Sequence, residues 1–175
     1  MAIDLKKLCF PESFEIVPGP EGCFESKLTS LRDFSAGEVL ARLGQECQIT
    51  QTKAYTSVQF DDEARAQTSA HFELNSELVY INHSCQPNVA FELPGGWQGL
   101  EDGRWCLRSL TEIKKGEALT FAYFSTEWDM AQPFECRCRS EHCLGWISGA
   151  KDMQQQILDR YFINEHIKQM RQAAQ

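Results

Sequence analysis

The chain has no long hydrophobic run. Nowhere in its 175 residues does an apolar stretch approach the length of about 20 residues that a membrane helix needs. Its first residues, MAIDLKKLCF, lack the apolar core of a secretory signal. These absences exclude a membrane-spanning helix and predict an intracellular protein, without distinguishing cytoplasm from nucleus. Length and an apolar share of 42% are typical of one globular domain with a substantial core.

Positive charge is also scarce. Lys and Arg total 17 against 25 Asp and Glu, which gives a formal net charge of −8. A general nucleic-acid binder needs a basic face to displace counterions from the phosphates, so no direct nucleic-acid binding is expected. The acidic balance is compatible with a basic substrate.

Cysteine, in contrast, is abundant. Eight cysteines in a secreted chain would suggest disulfides, but nothing in this sequence indicates export, and clustered thiols in a reducing compartment more often bind metal. Four of them, scattered along the chain, are interpreted as buried free thiols. These four are Cys9, Cys23, Cys47 and Cys106.

The spacing C-x-C-x4-C of Cys136, Cys138 and Cys143 predicts a tetrahedral zinc (Zn²⁺) site, because cysteines one residue apart form only a strained disulfide. Zinc needs a fourth ligand, either the adjacent His142 or a cysteine from elsewhere. Cys85 is the best of these, since it lies in the polar stretch YINHSCQPN, and a shared ion would pin the C-terminal segment over that loop. The alternative is three reduced cysteines in a surface loop.

Short strands separated by turn residues predict a mainly β domain. The strands are expected in FEIV, EVLARL, NVAFEL and RWCLRSL, with further ones at Thr56–Phe60 and His71–Leu74. RDFSAGEVL and RSLTEIKKGEAL resemble each other, which suggests two similarly built corners in one sheet system rather than a duplication. After Asp152, a plausible N-cap, the apolar spacing becomes helical, and a second helical segment is expected from Asn164.

Two stretches together, INHSCQPN and GEALTFAYF followed by CRCRSEHCLG, resemble the SET-domain family of S-adenosyl-L-methionine-dependent methyltransferases. The resemblance implies a β-clip-like fold of short sheets with a knot-like C-terminal crossing, a zinc-bound post-SET segment and a C-terminal helix. It divides the chain into a SET domain (14–130), a post-SET zinc segment (131–150) and a helical tail (151–175). The small size of the chain is similar to that of compact stand-alone SET proteins of bacteria and fungi.

The resemblance also implies roles for single residues. Asn82 and His83 would contact S-adenosyl-L-methionine, partly through their backbone, and Cys85 would be the fourth zinc ligand. Tyr123 would be catalytic as well as cofactor-binding, because a neutral hydroxyl can orient an amine and the methyl group for in-line displacement without adding charge. Without the motif, a buried amide, a core histidine and a core aromatic would be the simpler interpretations of Asn82, His83 and Tyr123.

The cofactor loop matches the family less closely. In PGPEGCFES, Gly22, Cys23 and Phe24 match the family's second glycine and the residues after it, but Pro20 stands where the first glycine is usual. Leu144 and Trp146, after the last zinc cysteine, are candidates for covering the adenine, with core packing as the competing role for the tryptophan.

Three departures bear on the substrate. LVYINHSC lacks the arginine that often precedes the motif, Ala122 replaces a common aspartate, and Leu43 stands where many members carry a second active-site tyrosine. The resemblance therefore implies a methyltransferase acting most simply on a lysine side chain of a protein. The alternatives are a tailoring enzyme that accepts a small molecule, since the short insert before Glu77 leaves the peptide groove incomplete, and a non-catalytic binding module.

Overall fold

The computed structural model describes residues 8–21, 23, 25–62 and 70–174, and small sheets dominate this part of the chain. The strands are β1 (Phe14–Val17), β2 (Lys27–Ser30), β3 (Val39–Arg42), β4 (Cys47–Thr50), β5 (Ser57–Gln59), β6 (His71–Leu74), β7 (Asn82–His83), β8 (Val89–Glu92), β9 (Cys106–Ser109), β10 (Thr120–Phe121), β11 (Phe134–Glu135) and β12 (Trp146–Ile147). The α-helices are α1 (Gly96–Glu101), α2 (Gln155–Leu158) and α3 (Glu165–Ala173). The predicted mainly β fold is confirmed.

The strands form two three-stranded antiparallel sheets, with the orders β3-β9-β8 and β4-β6-β5. Two antiparallel hairpins, β1-β2 and β11-β12, and one short parallel pair, β7-β10, complete the architecture. The strand predictions for FEIV, EVLARL, NVAFEL, RWCLRSL, Thr56–Phe60 and His71–Leu74 are confirmed by β1, β3, β8, β9, β5 and β6.

The main core lies between the two three-stranded sheets. Phe91 on β8, Leu107 on β9 and Phe72 on β6 are fully buried, and each such side chain contributes about 1.5–3 kcal/mol by leaving water. The rings of Phe72 and Trp105 approach to 4.9 Å between centroids and join the sheets. This core holds the strand ends from which the functional residues project.

The two resembling corners face each other. Phe34 and Ile113, which occupy equivalent positions in them, exchange backbone hydrogen bonds of 2.9 and 3.0 Å. Each corner turns at a glycine with positive φ, 80° at Gly37 and 85° at Gly116, and only glycine adopts this conformation without strain. The expectation of two similarly built corners in one sheet system is confirmed.

The predicted knot-like crossing is formed by β10 and the loop after β7. β10 runs parallel to β7. In the loop after β7, the backbone N–H of Ser84 donates to the Phe121 carbonyl (3.1 Å), and the backbone N–H of Asn88 donates to the Thr120 carbonyl (3.1 Å). The chain leading to Tyr123 is therefore held against the loop that carries the Asn-His-Ser-Cys motif.

The C-terminal tail differs in detail from its prediction. Asp152 is not a helix N-cap: it ends a single 3-10 turn, Ala150–Asp152, and α2 begins only at Gln155. α3 begins directly after Asn164, as expected. The break between the helices arises because the buried Asn164 side chain bonds to the backbone of Phe91, Leu93 and Ser125, which draws the chain inward there.

Candidate active site and metal centre

The four predicted metal ligands lie together. The sulfur atoms of Cys85, Cys136, Cys138 and Cys143 are all within 4.8 Å of one another, and among the described residues this group does not include His142. Cys85 therefore completes the triplet, although it stands 51 positions before Cys136. The loop after β7 brings one sulfur, and the segment between β11 and β12 brings the other three.

The spacing of these sulfurs fits zinc. A tetrahedral ion with Zn–S bonds of about 2.3 Å places its ligand sulfurs roughly 3.8 Å apart, and the Sγ atoms of Cys85 and Cys136 are 3.7 Å apart. Four sulfur donors form the soft ligand set of structural zinc sites. Burial ranges from full at Cys85 to exposed at Cys143, so an ion has a path from solvent.

The thiols ionise unequally in the absence of a cation. Burial raises the pKa of Cys85 to about 11 and also raises the pKa of Cys136. Burial acts in the same direction on Cys138, but hydrogen bonds from Ser140 and the neighbouring cysteines outweigh it and lower this pKa to about 6. Burial therefore disfavours negative charge on Cys85 and Cys136, and a bound cation would offset that cost.

Cys85 also anchors the two C-terminal segments. Leu144 donates its backbone N–H to the Cys85 sulfur over 3.3 Å. Tyr161, between α2 and α3, donates its hydroxyl to the Cys85 carbonyl at 2.8 Å. The cysteine loop and the tail therefore meet at this one residue.

Tyr123 follows directly on β10 and Ala122, and it is held at two points. Its hydroxyl donates to the carbonyl of Ile81 (3.2 Å), and its backbone N–H donates to Nδ1 of His83 (3.2 Å). Burial is the main cause that raises the pKa of Tyr123, and the charge of Glu127 adds to it. The hydroxyl is therefore neutral at physiological pH.

His83 lies beneath Tyr123 in an aromatic environment. Its ring packs edge-on against the rings of Tyr123, Phe124 and Phe134, with centroids 5.3, 5.9 and 5.8 Å away. Burial lowers the pKa of His83 to about 4, although a hydrogen bond with the Phe121 backbone opposes the shift. The imidazole is consequently neutral, and its Nε2 lies 3.4 Å from the Cys85 sulfur.

Asn82 connects the motif to the predicted cofactor loop. Its amide nitrogen donates to the Ser26 carbonyl (2.9 Å), just before β2. The loop closes on itself at Gly19, whose N–H donates to the Ser26 hydroxyl (3.1 Å). A Cβ at Gly19 would lie 2.5 Å from the Glu25 carbonyl carbon, so only glycine fits where the two ends of the loop meet, at Gly19 and Ser26. This closure is the neck of the loop.

The other predicted cofactor residues occupy different settings. Gly22 and Phe24 lie outside the described residues, while Cys23 donates its N–H to the Pro20 carbonyl (3.1 Å). Cys23 and Cys9 are exposed, so the prediction of buried thiols is wrong for these two. Leu144 packs against the second hydrophobic cluster, which includes Cys85 and the tail. Trp146 on β12 is 63% exposed, the largest share among the described large hydrophobic side chains. Its ring is therefore available to cover a ligand rather than fixed in the core.

Sequence reasoning missed three residues around this site. Gly19 forms the neck of the cofactor loop, Phe134 contacts both His83 and Tyr123, and Glu127 holds the edge of β5. The Pro-Gly-Pro sequence around Gly19 was an available signal for a tight turn. Phe134 and Glu127 act through contacts with distant segments, for which the local sequence gives no signal.

Leu43 and Ala122, which stand where many SET proteins carry a polar residue, also lie in apolar surroundings. Leu43 and Ala122 are each 3% exposed. Leu43 belongs to the main core and Ala122 to the cluster shared with the tail. These positions therefore place no polar group in the site where many SET proteins carry one.

Comparison with known proteins identifies the family. A family model for the SET domain matches residues 26–124, more than half of the chain. The sequence is 34% identical over 165 residues to "Methyltransferase flvH" of Aspergillus flavus, an alignment that covers 94% of this chain and 84% of that protein. The chain belongs to the SET-domain family and is a methyltransferase.

More distant relatives match only part of this chain. The histone-lysine N-methyltransferase ASHH2 of Arabidopsis thaliana is 38% identical over 72 residues, which are 40% of this chain and 4% of that protein. Among solved structures, KRYPTONITE in complex with mCHG DNA and SAH aligns with a TM-score of 0.56 at 18% identity, over 80% of this chain and 29% of the other. This likeness supports the fold. Among the described residues no helix has the length and apolar character that a membrane crossing requires.

Proposed function

We propose that this chain transfers a methyl group from S-adenosyl-L-methionine to an amine nitrogen, and that Cys85, Cys136, Cys138 and Cys143 bind one structural zinc ion. Support for the metal is the approach of the four sulfurs to within 4.8 Å. Support for the cofactor is the family and the linkage of Asn82 to the cofactor loop. Another SET structure, of KRYPTONITE, was solved with an H3(1-15) peptide and SAH.

The cofactor, when bound, supplies an electrophilic methyl group on a sulfonium. Asn82, His83 and the loop through Cys23 would hold it on one side, with Gly22, Phe24, Leu144 and Trp146 completing the predicted set. Tyr123 would orient the amine through its neutral hydroxyl, which the Ile81 carbonyl fixes in place. Burial desolvates this hydroxyl and would also disfavour a charged ammonium beside it, so the acceptor amine would release its proton to solvent on entering the site.

We further propose that the acceptor is a small molecule carrying the amine, and one observation carries this choice. An extended peptide commonly binds by adding a strand to a free sheet edge. β5 is the edge strand next to the Tyr123 segment, and its outward N–H groups are already used. Ser57 donates to the Ala54 carbonyl (3.2 Å) and Gln59 donates to the Glu127 carboxylate (2.8 Å).

The side chain of Gln59 covers the same edge. Gln59 is 1% exposed, and its side-chain oxygen accepts the backbone N–H of Trp128 (2.9 Å). Its side-chain nitrogen contacts the Met170 sulfur on α3. A peptide strand would have to displace both the segment after Tyr123 and the C-terminal helix, whereas a compact amine would not.

A lysine side chain of a protein remains the second candidate. Curated relatives named as histone-lysine N-methyltransferases match the SET core, among them ash1 of Drosophila melanogaster, which is 30% identical over 76 residues. A lysine in a chain end or tight loop would reach Tyr123 without pairing to β5. The two candidates predict methylated products of different size.

A labelled methyl-transfer assay with the full chain decides between them. Extract would be separated into protein and small-molecule fractions and incubated with methyl-labelled S-adenosyl-L-methionine. We expect label in the small-molecule fraction, appearing at a rate roughly 10²-fold lower with a Tyr123→Phe control. Label confined to the protein fraction would support the lysine candidate and reject the small-molecule acceptor, and absence of label from both would reject the proposed activity.

A further inference from the structure

The histidine of the Asn-His-Ser-Cys motif connects the cysteine cluster to Tyr123 through its two ring nitrogens. Nδ1 of His83 accepts the backbone N–H of Tyr123 at 3.2 Å, and Nε2 lies 3.4 Å from the Cys85 sulfur. A neutral imidazole that accepts at Nδ1 carries its proton on Nε2. That proton is therefore directed at the Cys85 sulfur, a strong acceptor once it is a metal-bound thiolate.

The surrounding contacts fix this geometry. His83 is 9% exposed and is packed edge-on by the rings of Tyr123, Phe124 and Phe134, so the imidazole has little freedom to rotate. The Cys85 sulfur accepts a further hydrogen bond from the Leu144 N–H (3.3 Å). Tyr123 is held through its hydroxyl by Ile81, two residues before His83.

We propose that His83 is a positioning residue that couples metal binding at Cys85 to the placement of Tyr123. A metal-bound thiolate would strengthen the bond from Nε2 and hold the ring in the orientation in which Nδ1 receives the Tyr123 N–H. Without the metal, the Cys85 sulfur is not fixed in place by the ion, and the ring that lies 3.4 Å from it is held less firmly. The inference rests on the proposed zinc site, and it assigns that metal a role in ordering the active-site tyrosine.

Two variants separate the two ends of the connection. In His83→Asn, the side-chain oxygen replaces Nδ1 as the acceptor for Tyr123, while the donor to Cys85 is lost. In His83→Gln, the side-chain nitrogen replaces Nε2 as the donor to Cys85, while the acceptor for Tyr123 is lost. Both variants carry a neutral amide and differ by one methylene group, so a general loss of packing at this position would affect both.

The measurements are zinc affinity by chelator competition and hydrogen exchange of the Tyr123 amide by nuclear magnetic resonance. We expect His83→Asn to bind zinc about 10–100-fold more weakly, the usual effect of removing a hydrogen bond to a metal ligand, while the Tyr123 amide keeps its protection. We expect His83→Gln to keep its zinc affinity within about threefold but to exchange the Tyr123 amide at least tenfold faster. Equal changes in both properties for both variants would overturn the proposal.

A measurement on the unaltered chain covers the case in which these variants do not fold. With cadmium-113 in place of zinc and nitrogen-15 in the histidines, the proton on Nε2 should show scalar coupling to the metal through the sulfur, and Nδ1 should have the chemical shift of an unprotonated nitrogen. Bound metal with the proton on Nδ1 would reject this inference alone. Failure to bind any metal would reject the proposed zinc site and the inference together.

Discussion

The side-chain oxygen of Asn88 accepts a hydrogen bond from the backbone N–H of Thr120 at 2.8 Å, and the Thr120 carbonyl accepts one from the backbone N–H of Asn88 at 3.1 Å. The Asn88 amide nitrogen also donates to the Ala118 carbonyl (2.9 Å) and to Glu117 (3.1 Å). One 8% exposed side chain thus fixes β10 against the motif loop. The position of Tyr123, three residues after Thr120, depends on it.

Replacement of Asn88 by alanine should destabilise the whole fold. It leaves partly buried backbone groups of Ala118 and Thr120 without their Asn88 partner, at about 1–3 kcal/mol for each group left unsatisfied. We expect the free energy of unfolding, measured by chemical denaturation, to fall by roughly 2–4 kcal/mol. The control is the exposed neighbour Gln86→Ala, expected within about 0.5 kcal/mol of the original. A similarly small effect at Asn88 would contradict the importance of this crossing.

Cys85→Ser should remove the metal while leaving the main core intact. Purified protein is expected to contain about one equivalent of zinc, and chelation should lower its melting temperature because the ion binds only the folded state. In Cys85→Ser we expect the bound zinc to fall well below half an equivalent. Cys106→Ser, which changes a buried thiol next to Glu92 and outside the cluster, should keep its zinc. Full zinc content in Cys85→Ser would show that the ligand set is wrong.

Tyr123→Phe should slow methyl transfer without weakening the cofactor. The hydroxyl is the group proposed to orient the acceptor, and misplacement by about 1 Å can cost 10²-fold in rate. We expect kcat to fall roughly 10²-fold, while the affinity for S-adenosylhomocysteine, measured by calorimetry, changes less than about threefold. Tyr55→Phe, on a 58% exposed side chain, is the matched control and should leave both quantities unchanged. A turnover equal to that of the control would rule out the assigned role.

Gly19→Ala should weaken cofactor binding by opening the neck of the loop. The added methyl group would lie 2.5 Å from the Glu25 carbonyl carbon and 2.6 Å from the Ser26 nitrogen, both backbone atoms. We expect the affinity for S-adenosylhomocysteine to fall at least tenfold while the melting temperature changes little. At Gly44 an added Cβ meets only the Glu46 carboxylate at 3.5 Å, so Gly44→Ala should bind normally. Equal affinities for both variants would exclude the loop from the cofactor site.

The local parts of the site were predictable from sequence. Asn82, His83 and Cys85 lie in one short motif, and the three later cysteines lie within eight residues of sequence. The residue types and their spacing therefore indicated a cofactor site and a metal site. The structure adds that Cys85 is the fourth sulfur of the cluster. The expected roles of Asn82, His83, Leu144 and Trp146 toward the cofactor stay predictions, as do the domain boundaries and the intracellular location.

Features that depend on distant contacts were not predictable. Glu77 is 1% exposed, and its carboxylate accepts the N–H groups of Cys9 and Phe10, which local polarity would place at the surface. The tail was expected to become helical at Asp152, but α2 begins three residues later and the buried bonds of Asn164 set the start of α3. Local periodicity reports an amphipathic segment but not where the interior interrupts it.

The separation of the four sulfurs along the chain sets an order on how this protein matures. During translation the loop with Cys85 emerges 51 residues before Cys136, so the full set of four sulfurs exists only after β10 has been synthesised. Capture of the proposed metal by all four sulfurs would therefore follow synthesis of the principal hydrophobic cluster, from Phe14 to Phe121, to which none of these four cysteines belongs. A cell short of zinc would accumulate a species with intact sheets and an unsecured C-terminal end.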